Sequence, residues 1–155
     1  MAVFSATTTA DAVVPFGRQP IWDALVDPGL VARLTPFVRG IDGSGDHWVW
    51  RMSGIQVLGH GFSPTFTERM TYDEPSRIEF HHDPPEGKAE RAGVNGWYAL
   101  APADGEQTRL ETSLEICVDL PLPRAAGPAV RRAMRGVMAT MGDRFAKGLL
   151  DHLAR

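Results

Sequence analysis

Hydrophobic and polar positions along the chain fall into three regimes. The opening FSATTTADAVVPF is rich in Thr, Val and Phe without a 3.6-residue period, and predicts a strand that ends near Pro15 and Gly17. After Pro20, which suits a first helical turn, Ile21, Trp22, Leu25 and Val26 fall at helical spacing until Asp27-Pro28-Gly29 stops the run. Leu30, Val31 and Leu34 predict a second short helix, closed before Pro36. From Val38 to Leu120 the pattern is alternation, interrupted by GIDGSGD, VLGHG, YDEPSR, DPPEGKAE and APADGEQ, each with turn chemistry. This predicts six consecutive strands, and loops this short favour antiparallel pairing because a parallel pair requires a long crossover. From about Pro128 to Leu153 the helical period returns. Val130, Met134, Val137, Met138, Met141, Phe145, Leu149 and Leu153 lie on one stripe, with Arg131, Arg132, Arg135 and Lys147 largely off it.

Parity assigns the strand faces. In the fourth strand, Phe62, Pro64, Phe66, Glu68, Met70 and Tyr72 share the apolar side. In the fifth, Ile78 and Phe80 bring His82 to the same side and send Arg77, Glu79 and His81 outward. If Tyr72 pairs with Ile78 across the connecting DEPSR, Met70 meets Phe80 and Glu68 meets His82. Trp48, Trp50 and Met52 join this face from the third strand, Val94, Gly96, Tyr98 and Leu100 from the sixth, and Leu110 to Val118 from the seventh. An inner surface is therefore expected with Trp50, Phe62, Phe66, Phe80 and Tyr98 on the sheet and Met134, Met138, Met141 and Phe145 on the last helix. Such stripes also serve as plain core. The flexible, polarisable Met side chains suit a wall that adapts to varied shapes, and a bulky side chain at Gly96 is expected to fill the space between.

Composition narrows the function. Lys and Arg number 16 against 19 Asp and Glu, a net charge of -3, so no basic excess exists to grip nucleic acid. One cysteine, Cys117, excludes an intrachain disulfide and a multi-thiolate zinc site. His81 and His82 are successive strand residues that point to opposite faces and cannot chelate one ion, so no metal and no cofactor is assigned. No apolar run reaches the roughly 20 residues of a membrane span, and the start lacks the basic n-region of a signal peptide. The expectation is a single cytoplasmic domain over residues 1–155, without membrane insertion, as monomer or homodimer.

The order of strand, two short helices, six strands and a long helix resembles the START-like helix-grip superfamily, also called SRPBCC. PIWDALVDPGLVARLTP, HWVWRM, FTERMTYDEPSRIEF, GWYALAP followed by TRLETSLEI, and the terminal helix carry the resemblance over nearly the whole chain. It implies an α+β helix-grip fold, in which a curved seven-stranded antiparallel sheet wraps around the C-terminal helix and an apolar ligand sits between them. Two functions follow. One is a carrier or sensor of a small hydrophobic molecule, lipid or polyketide-like. The other is a polyketide cyclase or dehydratase in which Glu68 and His82 are catalytic, moving protons at a carbonyl. A structural cross-strand ion pair is the alternative reading of those two residues.

Overall fold

The computed structural model describes residues 2–155, with the side chains of all of these except Val57 and Phe62. Strand β1 (Ala2–Val14) leads into helices α1 (Arg18–Leu25) and α2 (Pro28–Leu34). Asp27 caps α2, its Oδ1 accepting the Leu30 amide at 3.2 Å, and Pro28 enters the first turn, where a missing N–H costs nothing. Strands β2 (Val38–Ser44) and β3 (His47–Met52) follow, then β4 (Ile55–Val57), β5 (His60–Phe62), β6 (Thr65–Asp73), β7 (Arg77–His82), β8 (Ala92–Ala103) and β9 (Gln107–Leu120). A single 3-10 turn at Arg124–Ala126 precedes α3 (Gly127–Leu153).

Seven strands form one antiparallel sheet in the order β1-β9-β8-β7-β6-β3-β2, and β1 closes onto β9 from Ala2↔Leu120 to Val14↔Thr108. The expected sheet, the two short helices and the terminal helix are all present. The fourth strand differs from expectation. It is divided at Ser63-Pro64, and its first part, β5, pairs with β4 as a separate two-stranded hairpin. Proline lacks an amide to donate to a ladder, yet Pro64 keeps the apolar parity, so the alternation runs on through a break in pairing. The hairpin turn uses Leu58 and Gly59 with φ of 50° and 80°, the left-handed conformation that a tight two-residue connection requires.

Helix α3 lies on the inner face. Val130, Met134 and Met138 are at most 5% exposed and share one core with Phe4, Ala6, Trp48, Phe66, Met70, Phe80 and Val118. Further along, Leu149 packs with Ala24 and Leu30, which ties the helix to α1 and α2. The arginines off the stripe, Arg132 and Arg135, are exposed.

Candidate functional site

The register across β6 and β7 is Tyr72↔Ile78, Met70↔Phe80 and Glu68↔His82. Phe66, Met70, Ile78 and Phe80 are buried on the inner face, and Glu68 is buried with them at 2% exposure. Tyr72 lies at the rim, 41% exposed, with its ring edge-on to Trp22 of α1 at 6.1 Å.

Glu68 is held by a neighbour on β3. The Trp50 indole N–H donates to Glu68 Oε1 at 2.6 Å, and the Trp50 ring stacks on Phe66, 5.6 Å between centroids and 13° between planes. Trp48 stands directly opposite Glu68 in the β3–β6 ladder. Burial pushes the Glu68 carboxyl up to about 8, since a charge there would lose its water, while the Trp50 hydrogen bond works weakly the other way. Tyr98 tilts against Phe80 at 5.3 Å between centroids. Its phenol is pushed up by burial and then by the Glu68 charge, so it stays protonated.

His82 takes other partners. Its Nε2 lies 2.9 Å from Oε1 of Glu90, a residue of the irregular segment between β7 and β8. The same carboxylate accepts the Thr67 amide at 2.8 Å and the Thr67 hydroxyl at 2.9 Å. The His82 ring rests over Gly93, where a Cβ would overlap it. Gly93 and Thr67 both have outward parity, so these contacts belong to the outer side of the sheet. Glu68 and His82 are thus register partners whose carboxyl and imidazole are engaged separately, the first with Trp50 and the second with Glu90. Glu90 was not readable as a site residue, because it stands in a loop without periodicity. Its role is local: β7 ends at His82, and the Glu90 carboxylate takes up the Thr67 amide that no β7 residue reaches.

The remaining predicted residues divide by burial. Phe66, Phe80, Met134 and Met138 are buried, and Trp50, Tyr98, Met141 and Phe145 are partly buried against the same core. Leu110, Leu114 and Ile116 of β9 are likewise only partly buried. The Phe62 position lies outside the described side chains. Gly96 offers no room: a Cβ there would collide with the Ser113 carbonyl oxygen and stand 2.7 Å from the Phe80 ring. That glycine is required for close passage of β9 and Phe80, which corrects its expected use as a space-filling position.

On the convex side, His47, Val49, Thr67, Asp83, Pro84, Pro85 and Glu86 line a groove of about 540 Å³. His47 bridges its rim, with Nε2 at 2.8 Å from Asp83 and Nδ1 at 2.8 Å from Asp46. The hydrogen bond to Asp83, with Asp46 adding to it, raises the pKa of the imidazole. Among the described residues no group of three or more His, Cys, Asp or Glu is placed to hold a metal ion, and no helix is long and apolar enough to cross a membrane.

A long terminal helix gripped by a curved seven-stranded antiparallel sheet, with two short helices after the first strand, defines the START-like class. The chain belongs to the family of polyketide cyclase / dehydrase and lipid transport proteins, whose model matches residues 5–150. It is similar to a conserved protein from Geobacillus kaustophilus, at 16% identity and a TM-score of 0.74, with 96% of this chain and 95% of that one covered. It is also similar to the Zhui aromatase/cyclase from Streptomyces, at 15% identity and a TM-score of 0.71, covering 97% and 94%. A START superfamily protein from Mycobacterium smegmatis aligns at 16% identity and a TM-score of 0.66, covering 96% and 97%. No curated protein matches the sequence.

Proposed function

We propose that the protein binds a small hydrophobic molecule, a lipid or a polyketide-like chain, between the inner face of the sheet and α3, as a carrier or sensor. The observation that carries this reading is incomplete cover on a face built to be core. Trp50, Tyr98, Leu110, Leu114, Met141 and Phe145 all belong to the inner cluster and are nevertheless only partly buried. Surface of this kind gains about 25 cal/mol for each Å² that a ligand removes from water. Family membership supports the reading, as its description includes lipid transport. Phe66, Phe80, Met134 and Met138 would form the floor of the site.

The test is titration with Nile red, a neutral apolar dye. Saturable binding at one dye per chain is expected, with little dependence on salt because apolar burial drives it. Leu114→Trp, which adds bulk on the inner face, should weaken binding at least several-fold. Binding that is unsaturable, or unchanged in Leu114→Trp, would overturn the reading.

A cofactor-independent cyclase or dehydratase is the second reading, favoured by the Glu68 carboxyl, which keeps its proton near neutral pH and so could act as a general acid toward a carbonyl. In it Glu68 acts without His82, whose imidazole is engaged by Glu90 on the outer side of the sheet and not on the inner face that its parity predicts. Glu68→Gln should then remove most turnover of a polyketide substrate while leaving its binding nearly intact, whereas His82→Ala should leave turnover largely unchanged. Unchanged turnover in Glu68→Gln would reduce the carboxyl to a structural role.

A further inference from the structure

The inner face holds a carboxyl with no ionic partner. Glu68 lies midway along β6 among Trp48, Trp50, Phe66 and Met70, and its register partner His82 is occupied by Glu90. No Lys, Arg or His among the described residues forms an ion pair with it. The Trp50 N–H donates to one oxygen, Oε1, at 2.6 Å, and the hydrogen bonds of the described residues leave Oε2 without a partner. Yet no sealed side-chain oxygen or nitrogen among the described residues is unpaired. An Oε2 that is neither bonded nor sealed borders accessible space.

Protonation decides what that oxygen offers. An ionised carboxyl would present a bare charge to aromatic faces with no cation to balance it, which burial penalises heavily. In the neutral form, the oxygen bonded to the Trp50 N–H is the carbonyl, and Oε2 is a hydroxyl whose proton is a free donor. Tyr98, on the neighbouring strand β8, is likewise neutral. The polar part of this face is therefore donor-rich and uncharged.

We propose that Glu68 is the specificity-determining group of the inner site: through Oε2–H it selects ligands that present a neutral acceptor oxygen, such as a ketone, ester or amide carbonyl, over those ending in an ammonium or a carboxylate. This rests on the space between sheet and α3 being the ligand site. A carbonyl is satisfied by one donor. An ammonium would require Glu68 to ionise and two charges to be desolvated together, and a carboxylate would bring an unpaired charge into the same apolar surroundings. Trp50 acts as a positioning residue, fixing which oxygen remains for the ligand.

Four probes with one hydrocarbon skeleton separate these outcomes: dodecane, methyl decyl ketone, dodecylamine and dodecanoate, each displacing Nile red from the full chain at neutral pH. The ketone should bind about ten-fold more tightly than the alkane, the effect of one buried hydrogen bond, and more tightly than the amine or the carboxylate. Glu68→Gln, whose amide still donates, should keep the ketone preference. Glu68→Leu, which leaves a buried ketone oxygen without a donor, should abolish the preference. As a measurement on the native protein alone, the infrared carbonyl stretch of the bound ketone should lie at lower frequency than in alkane solvent. Equal binding of ketone and alkane, a preference that survives Glu68→Leu, an unshifted carbonyl stretch, or binding by the amine or the carboxylate as tight as that of the ketone would each overturn the proposal while leaving the site itself in place. Failure of all four probes to displace the dye would overturn the site and the proposal together.

Discussion

Glu68 has a measurable signature apart from any ligand. In the unfolded chain it titrates near 4.5, and in the native protein burial raises it to about 8. Between those values the folded state keeps a proton that the unfolded state has released, so stability falls as pH rises through the window and levels off above it. Glu68→Gln removes the titration. Its unfolding free energy should therefore gain on the wild type from about pH 5 to pH 8, by on the order of 1 kcal/mol per pH unit crossed, with the melting temperature following. Parallel melting curves across that range would show that the carboxyl ionises freely. The sequence placed this residue correctly, because strict alternation from Phe66 to Met70 leaves Glu68 only the inner side. It could not place the imidazole of His82. That residue is the last of its strand, where parity no longer dictates direction, and its partner Glu90 belongs to a segment with no periodic pattern at all.

At the scale of elements, α3 is where pattern and packing agree most closely. Its apolar stripe became the buried stripe because a long helix against a sheet must bury one face, and Met138 lies in the part of it that is fully covered. Met138→Asp should destabilise the fold by about 3 kcal/mol or more, since it leaves an unpaired charge inside. Arg132→Asp, on the exposed side of the same helix, should stay within about 0.5 kcal/mol of wild type in denaturant unfolding. Equal effects of the two would mean that the helix does not face the sheet in solution. The β4–β5 hairpin shows the opposite case. Strands of three residues carry too few positions to display a period, and with Pro64 in phase with Phe66 the break between β5 and β6 leaves no mark on the alternation.

In the whole molecule, short loops dictate a meander from β2 to β9 apart from the inserted hairpin, and β1 completes the sheet at β9, which brings the strand before the short helices beside the strand before α3. That closure sets two faces against each other: an aromatic inner face under α3, and a convex face whose groove is rimmed by His47, Asp83 and Glu86. The two faces compete as the place where a small molecule binds, and Trp50 distinguishes them, because its indole N–H is bonded to Glu68 on the inner side. The most direct test is a two-dimensional nitrogen–proton spectrum of the labelled protein titrated with methyl decyl ketone, following the indole resonances and the backbone amides. A ligand between sheet and α3 should shift the Trp50 indole signal saturably, together with the amides of Phe66, Tyr98, Leu114 and Met141. Shifts confined to Val49, Thr67, Asp83 and Glu86, with the Trp50 indole unmoved, would place the ligand on the convex face and contradict the inner site.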